Sequence, residues 1–246
     1  MKICRFEFNG TIESGVIEGD RIFAYRDQRK QHESFSPQEI RLLPPVDPSK
    51  IVCVGRNYAE HAKELGNEVP NDPLLFLKAP SSLVDHEEKI VIPPQSEQVE
   101  HEGELAVVIG RKCKNLRPED DALQFVFGYT CLNDVTARDL QRRDVQFTRA
   151  KSFDTFCPVG PHVETELDVS AIRVTTRVNG VIKQDGNTSQ MVFPVDYLIR
   201  YISNMMTLLP GDVIATGTPS GVSKLNPGDI CEIEIGGIGV LRNPVE

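Results

Sequence analysis

Alternating apolar and polar positions characterise the start of the chain. The segments ICRFEF, SGVIEG and IFAYR alternate with a period of two and are separated by Asn9-Gly10 and Asp20-Arg21. A period of two indicates strands with one buried face, and Asn-Gly is a preferred pair in two-residue hairpin turns. The pattern predicts a β-meander, and we assign residues 1–46 to a small N-terminal β domain.

A proline-rich stretch separates this region from the rest of the chain. Residues 37–49 favour a short helix or coil followed by a linker, and the apolar run KIVCVG then predicts a buried strand. We assign residues 47–246 to a second domain, which is rich in short strands. Helical patterns occur only near 57–66, 118–125, 135–145 and 194–206. The predicted fold class is therefore mainly β with short helices.

Two similar segments, LLPGDVIATG and LNPGDICEIEI, support this fold class. Pro-Gly-Asp followed by an apolar run is typical of a tight turn that leads into a strand. No glycine-rich phosphate loop that opens a helix is present. We therefore predict a β-rich roll or barrel and not a nucleotide-binding βαβ fold.

Composition and charge narrow the class of partner. The 246-residue chain has a formal net charge of −9 and no basic block, which argues against a nucleic-acid partner. No apolar run reaches the roughly 18 residues of a membrane-spanning helix. The segment MKICRFEFNG lacks the apolar core of a signal peptide. We expect a cytoplasmic protein with no membrane partner.

The cysteines point to the same compartment. They are widely spaced and include no CxxC pair, so we predict reduced and mostly buried thiols, with one reactive thiol as the alternative. The absence of cysteine and histidine clusters argues against zinc. The residues concerned are Cys4, Cys53, Cys113, Cys131, Cys157 and Cys231.

Two glutamates stand at the start of a strand that otherwise has a buried pattern. Glu102 and Glu104 precede the apolar residues LAVVI, and residues i and i+2 of a strand share a face. Asp134 ends a second apolar run, where a lone carboxylate is costly. Such an oxygen-rich set suits Mg²⁺ or Mn²⁺, with Ca²⁺ also possible. Glu100 has the same parity and is an alternative ligand, and a solvated strand edge is the alternative to a metal site.

His61 and Glu64 form a second candidate group in the short helical pattern VGRNYAEHAKELG. Asn57 is a candidate cap of this helix and Gly66 a natural end. Residues at i and i+3 share a helix face, and a carboxylate beside an imidazole makes it a better base. We predict a catalytic pair, with a surface helix and an incidental ion pair as the alternative.

Four further residues are candidates for contact with a substrate. Arg138 and Gln141 share a helix face after the third acid, with Thr136 as a candidate helix cap. Lys151 lies in partly apolar surroundings. The turn TGTPSG offers backbone N–H groups and the Thr218 hydroxyl to an anion, although a plain hairpin end is equally consistent with its composition.

Five segments occur in one order along the chain: GRNYAEHAKE, EGELAVVIG, NDVTARDLQ, AKSFDTFCPVGP and ATGTPSGV. Together they closely resemble the fumarylacetoacetate hydrolase family, over residues 48–246. Residues 1–46 resemble the small N-terminal β domain of many bacterial members. The resemblance implies a β-sandwich-like roll around a divalent metal, usually Mg²⁺, and a homodimer.

The resemblance also implies roles for individual residues. The metal ligands would be Glu102, Glu104 and Asp134, which favours these glutamates over Glu100. The family's water-activating pair corresponds to His61 and Glu64. The substrate-facing positions correspond to Lys151, Arg138, Gln141 and Thr218.

The resemblance implies a 2-oxo acid or a 1,3-diketo acid as the substrate. We predict a Mg²⁺-dependent hydrolase that cleaves a C–C bond of acylpyruvates. His61 would take a proton from water, and the metal with Lys151 would stabilise the pyruvate enolate that leaves.

Several other activities fit the same residues. The alternatives are an oxaloacetate decarboxylase, a 2-hydroxyhepta-2,4-diene-1,7-dioate isomerase and a 5-oxopent-3-ene-1,2,5-tricarboxylate decarboxylase of aromatic degradation. A β-roll protein that binds a metal–oxoacid complex without turnover is the rival outside the enzymes.

Overall fold

The computed structural model describes residues 1–246, and strands dominate it. The first nine strands are β1 (Lys2–Phe8), β2 (Thr11–Glu18), β3 (Arg21–Arg26), β4 (Arg29–Phe35), β5 (Arg41–Leu43), β6 (Ile51–Gly55), β7 (Leu74–Lys78), β8 (Leu83–Val84) and β9 (Val99–Glu100). The others are β10 (Gly103–Ile109), β11 (Val126–Asn133), β12 (Thr136–Ala137), β13 (Cys157–Glu164), β14 (Arg173–Val178), β15 (Val181–Asn187), β16 (Val213–Ala215), β17 (Ile230–Ile235) and β18 (Gly239–Pro244). The α-helices are α1 (Ala59–Glu64), α2 (Arg138–Arg143), α3 (Thr148–Lys151) and α4 (Val195–Met205).

The predicted N-terminal β-meander is confirmed. Strands β1 to β4 pair antiparallel in chain order, and the β1–β2 turn has positive φ at Asn9 and Gly10, as a type I′ hairpin requires. Phe6 and Phe35 lie in its apolar core with ring centroids 5.0 Å apart. Strand β1 also pairs with β13, so the meander continues the main sheet of the protein.

The main sheet surrounds a central, fully buried strand. Its order is β4-β3-β2-β1-β13-β11-β10-β16-β6-β7. All seven residues of β10 are buried, which agrees with its apolar sequence. Strand β10 pairs antiparallel with β11 on one side and with β16 on the other. The start of β10, where the two glutamates stand, therefore lies inside the molecule.

A second sheet, in the order β15-β14-β17-β18, packs against β10 and β11. Leu105 and Val107 of the first sheet and Val174 and Ile233 of the second belong to one buried apolar cluster. Packing of two sheets around a shared apolar layer defines a β-sandwich. The predicted fold class, mainly β with a sandwich-like roll and short helices, is confirmed.

Three of the four predicted helices are confirmed and one is wrong. Helices α1, α2 and α4 lie within 57–66, 135–145 and 194–206. Residues 118–125 contain only a single 3₁₀ turn over Ala122–Phe125, because the Asp121 side chain caps that turn and β11 begins directly after it. None of the helices has the length and apolar content needed to cross a membrane.

Two further local expectations need correction. Helix α2 begins at Arg138 and not near 135, because Thr136 pairs with Glu100 between the short strands β12 and β9. The Thr136 hydroxyl donates to the Asp134 carbonyl oxygen at 2.8 Å and does not cap the helix. Within 37–49, residues of β5 pair with β1 and form a strand where coil or helix was expected.

The prediction of buried thiols is confirmed. All six cysteines are buried and none forms a disulfide. Burial raises the pKa of the Cys4 and Cys157 thiols to about 12 and that of Cys53 well above its ordinary value. Neutral thiols are poor nucleophiles, so the alternative of a reactive cysteine gains no support.

Candidate metal centre and active site

Antiparallel pairing of β10 with β11 brings three acids together. Gly103 pairs with Asn133, and Asp134 follows at the end of β11. The Asp134 N–H donates to the Glu102 carbonyl oxygen at 2.8 Å. One carboxylate oxygen from each of Glu102, Glu104 and Asp134 lies within 4.8 Å of the others, and all three residues are buried. The buried triad offers the ligand set of a metal ion.

Gly103 lets the second sheet approach the strand between the two glutamates. A Cβ atom at this position would lie 2.2 Å from the Thr176 hydroxyl oxygen of β14. Only glycine fits there, so the face opposite the glutamates is closed by protein. The carboxylates of Glu102 and Glu104 accordingly share the remaining face, as the strand period predicts.

Glu100, the alternative ligand, is engaged elsewhere. One of its carboxylate oxygens accepts from Arg138 Nε at 2.8 Å, and the other accepts from the Gln98 amide at 2.5 Å. Glu100 is not a member of the triad, so the geometry favours Glu102 and Glu104.

Three buried cations surround the triad. Lys151 Nζ lies 2.8 Å from Glu102 and 2.7 Å from Asp134. Lys78 Nζ lies 2.6 Å from the other oxygen of Asp134, and Arg138 forms an ion pair with Glu102. Pairing of this kind offsets the cost of burying these charges.

The charge of Glu104 is not compensated in this way. Burial raises the pKa of Glu102, but Lys151 and Arg138 outweigh it and hold that pKa well below its usual range. Burial and the two neighbouring carboxylates raise the pKa of Glu104 well above its usual range. Its carboxylate accepts one hydrogen bond, from the Gly217 N–H at 2.8 Å. An oxygen-only donor set in which Glu104 lacks a cationic partner fits a divalent cation.

Helix α1 places His61 and Glu64 on the same cavity as the triad. His61 Nδ1 lies 3.2 Å from one Glu64 oxygen, and the other oxygen accepts from the Gly221 N–H at 2.9 Å. Glu64 is thereby held from two sides. This contact assigns the ring proton to Nδ1 of neutral His61 and leaves Nε2 as the basic nitrogen.

The 216–221 loop binds the protein's own carboxylates. The Gly217 N–H donates to Glu104 and the Gly221 N–H to Glu64. The sequence predicts an anion held by backbone N–H groups here, and in the structure these anions are one member of the triad and one member of the histidine pair. The loop therefore couples the two groups of candidate residues.

Arg138 and Gln141 share a face of α2, as predicted. Arg138 Nη1 donates to the Gln141 side-chain oxygen at 2.6 Å, while its other nitrogens contact Glu100 and Glu102. Both residues line the cavity. The guanidinium of Arg138 is therefore largely used in holding acids, and the amide nitrogen of Gln141 makes no hydrogen bond to the protein.

Thr218 and Gln184 belong to a buried hydrogen-bond network. The Thr218 hydroxyl donates to the Gly103 carbonyl oxygen at 2.8 Å. The Gln184 amide nitrogen donates to Thr218 Oγ1 and to the Pro219 carbonyl oxygen, both at 2.7 Å. The Gln184 amide oxygen accepts from three donors: the Gly103 N–H at 3.0 Å, Thr176 Oγ1 at 2.7 Å and His101 Nδ1 at 3.1 Å. Gln184 thus links the ligand-bearing strand to the 216–221 loop.

Sequence reasoning missed Lys78 and Gln184 and misassigned Asn57. Asn57 does not cap α1; its amide donates to the carbonyl oxygens of Phe193 at 3.0 Å and Thr216 at 2.7 Å. The available signal was a polar residue within a strand, since Lys78 ends the apolar run LLFLK. A polar residue at a buried strand position requires a partner.

The candidate residues converge on one cavity of about 340 Å³. All nine predicted site residues line it, together with Arg56, Arg142, Phe76 and Phe147. A volume of this size is within the range of small-molecule sites. The site is thus a cavity of small-molecule size beside a buried acidic triad.

The family of the protein follows from this fold and this site. The profile of the fumarylacetoacetate (FAA) hydrolase C-terminal family matches residues 50–246, and an Rv2993c-like N-terminal profile matches residues 1–45. The chain belongs to the fumarylacetoacetate hydrolase family. The family resemblance of the sequence is therefore confirmed.

Relatives with named activities span almost all of the chain. Oxaloacetate tautomerase YisK of Bacillus subtilis is 41% identical over 96% of this chain and 86% of its own length. A crystal structure of 5-carboxymethyl-2-hydroxymuconate delta-isomerase from Mycobacterium smegmatis is 40% identical, with a TM-score of 0.92 over 100% of this chain and 99% of that one. Fumarylpyruvate hydrolase from Pseudomonas aeruginosa, in complex with Mn²⁺ and pyruvate, is 28% identical, with a TM-score of 0.77 over 87% of this chain and 92% of that one.

Proposed function

We propose that the protein catalyses proton transfer at the carbon beside the carbonyl group of a 2-oxo acid, and specifically the keto–enol tautomerisation of oxaloacetate. The observation that carries this proposal is the His61–Glu64 pair on the cavity of the acidic triad. Imidazole exchanges protons near neutral pH, which suits it as the base. The similarity to an oxaloacetate tautomerase over 96% of the chain supports the same reaction.

His61 would act through its Nε2 atom. It takes a proton from C3 of the keto form, and the electron pair of that C–H bond forms the C2–C3 double bond while the 2-oxygen becomes negative. Return of the proton to the 2-oxygen gives the enol, so that no atom is gained or lost. Glu64, bonded to Nδ1, stabilises the imidazolium during the transfer.

Lys151 is suited to a different role. Burial lowers its pKa, but Asp134 and Glu102 outweigh burial and raise the pKa above its ordinary value. A lysine that stays protonated is not a base. We propose that Lys151 orients the two carboxylates and places positive charge beside the developing enolate.

A divalent cation at Glu102, Glu104 and Asp134 would act as a Lewis acid toward the 2-oxygen of the substrate. We propose Mg²⁺, which the oxygen-only donor set suits, with Mn²⁺ as the first substitute. The Mn²⁺ in the fumarylpyruvate hydrolase structure supports a cation of this class.

Hydrolysis of a C–C bond in an acylpyruvate is the second candidate. The similarity to fumarylpyruvate hydrolase favours it, and the same His61–Glu64 pair is suited to take a proton from water instead of from carbon. Water would then attack the distal carbonyl group, and the enolate of pyruvate would leave.

The test uses Mg²⁺-loaded protein with oxaloacetate and with acetylpyruvate. Enol absorbance reports tautomerisation, and pyruvate, acetate and CO₂ are quantified against a metal-only blank. In His61→Ala we expect the rate to fall roughly 10²- to 10⁴-fold, the usual contribution of an acid–base group. His32→Ala, a change at an exposed histidine of the N-terminal meander, is the matched control.

Each outcome assigns a different activity. If His61→Ala keeps the wild-type rate of oxaloacetate tautomerisation, the role of His61 is refuted. Pyruvate and acetate from acetylpyruvate would establish the second candidate, and pyruvate with CO₂ from oxaloacetate would establish a decarboxylase. Turnover of neither compound would favour isomerisation of longer diene-dioates.

The homodimer and the cytoplasmic location stay predictions. We propose the homodimer on the family resemblance, and sedimentation equilibrium of the purified protein tests it.

A further inference from the structure

One cation of the cavity has no protein partner. The four cationic residues that line the cavity are Arg56, Arg138, Arg142 and Lys151. Arg138 and Lys151 are paired with the acids, and Arg142 is exposed and donates to the Gln98 side chain at 3.2 Å. Arg56 is only partly exposed, and its guanidinium forms no hydrogen bond or ion pair. A partly buried charge without a partner is costly, which indicates that it serves a ligand.

The backbone of Arg56 is held in an unfavourable conformation. Its φ angle is +57°, in the left-handed region that residues other than glycine rarely adopt. The next residue, Asn57, is fully buried and fixed by side-chain hydrogen bonds to Phe193 and Thr216. These bonds impose the turn after β6, at whose end Arg56 enters the cavity wall.

We propose that Arg56 binds the distal carboxylate of a 2-oxo dicarboxylate whose 2-oxo acid end lies at the acidic triad. The protein would then select 2-oxo dicarboxylates over 2-oxo monocarboxylates. This inference rests on the proposed function, because it takes a 2-oxo acid as the ligand. It adds the residue that binds the distal carboxylate of that ligand.

The chemistry of the cavity supports an anion at this end. The carboxylates of the triad would bind a ligand through a cation, whereas Arg56 offers N–H donors in a planar fork that matches a carboxylate. Glu64, the acid of the cavity nearest to Arg56 in sequence, is occupied by His61 and by the Gly221 N–H, and Glu60 is exposed and does not line the cavity. No acidic side chain therefore competes for the guanidinium.

The test is a pair of stable probes that differ in one carboxylate. 2-Oxoglutarate and 2-oxopentanoate have the same carbon chain, and calorimetry on Mg²⁺-saturated protein gives both dissociation constants. We expect the wild type to bind 2-oxoglutarate roughly 10- to 100-fold more tightly, the range of a hydrogen bond to a charged group. Arg56→Gln should abolish the preference and Arg56→Lys should restore part of it.

Two variants control for indirect effects. Arg143→Gln removes an exposed arginine that does not line the cavity and should keep the preference. Arg56→Gly suits the positive φ angle, so it should fold with an undiminished Tm and still lose the preference.

The outcomes separate this inference from the proposed function. Equal binding of both probes by the wild type, or a preference that survives in Arg56→Gln, would overturn the role of Arg56 alone. Binding of neither probe would overturn the 2-oxo acid function and the role of Arg56 together.

Discussion

Asp212 and Glu104 are two buried carboxylates of the same sheet with opposite surroundings. Asp212 precedes β16 and accepts hydrogen bonds from the Ser49 N–H, the Ser49 hydroxyl, the Lys50 N–H, the Lys50 ammonium and the Leu209 N–H. Glu104, in the neighbouring strand β10, accepts one, from Gly217. Burial raises the pKa of Asp212, but these donors outweigh burial and lower that pKa below its ordinary value. The pKa of Glu104 is raised instead.

This difference separates a structural carboxylate from one suited to function. A carboxylate buried for stability has donors for its lone pairs, so its charge is compensated within the fold. A carboxylate buried for ligand binding keeps acceptor capacity unused, and the fold bears the cost until a cation binds. Glu104 has the second pattern, and this supports the metal site more directly than the closeness of three acids.

The largest expected effect is that of Glu104→Gln. Loss of a ligand should weaken Mg²⁺ or Mn²⁺ binding by more than the roughly 100-fold of an outer-shell change. The metal-free variant should be at least as stable as the wild type, because the amide oxygen still accepts from Gly217 while the uncompensated charge is gone. Calorimetry with Mn²⁺ and thermal unfolding measure the two quantities. Tight Mn²⁺ binding by the variant would remove Glu104 from the ligand set.

Asp212→Asn should have the opposite effect to Glu104→Gln: lower stability with unchanged metal affinity. An amide cannot accept from all five donors, so we expect a loss of roughly 2–3 kcal/mol in the free energy of unfolding. Metal affinity should stay as in the wild type, because Asp212 is not a member of the triad. Chemical denaturation and Mn²⁺ titration check both points. A large loss of metal affinity with unchanged stability would contradict the structural role.

Metal addition should stabilise the wild type but not Glu104→Gln. At a metal concentration 100 times the dissociation constant, the gain is about 2.7 kcal/mol by mass action. A chelator should reverse this gain and lower Tm. Equal Tm values with metal and with chelator in the wild type would argue against a metal centre.

The pH dependence of stability should also reveal the compensated charge of Asp212. The folded pKa of Asp212 lies below the ordinary value of about 3.9, so the unfolded state binds more protons between these two values. Its contribution is present above the unfolded pKa and is lost as pH falls through the folded pKa. The stability difference between wild type and Asp212→Asn should therefore be constant near neutral pH and shrink below about pH 4. A difference that persists in acid would show that ionisation of Asp212 contributes little.

The smallest expected effect is that of Gln184→Met. The variant loses the bonds to Gly103 and Thr218 that position the ligand-bearing strand against the 216–221 loop. Metal affinity should fall by about tenfold, as for other outer-shell changes, and Gln184→Glu should recover part of it through its acceptor oxygens. Gln124→Met, at an exposed glutamine, is the control. Unchanged Mn²⁺ affinity in Gln184→Met would limit Gln184 to a role in folding.

Much of the fold and of the site was predictable because the responsible patterns are local. A period of two places Glu102 and Glu104 on one face whatever else the strand contacts, and it predicts the N-terminal meander. His61 and Glu64 share a helix face because residues three positions apart are neighbours on the surface of an α-helix. Two predicted helix caps were wrong for different reasons. The backbone of Thr136 joins a short strand, and the side chain of Asn57 bonds to a residue that is distant in sequence.

The sequence by itself determined the β class, the shared face of Glu102 and Glu104 and the histidine pair, because each depends on residue type and on spacing of two or three positions. Asp134 joins the two glutamates only through the pairing of β11 with β10. Only the tertiary structure decided which charges are compensated. Lys78 reaches Asp134 across 56 positions, Gln184 reaches Gly103 across 81, and Arg138 holds Glu100 away from the acidic triad. Pairings at such separations are set by strand register and sheet packing, and residue spacing along the chain does not encode them.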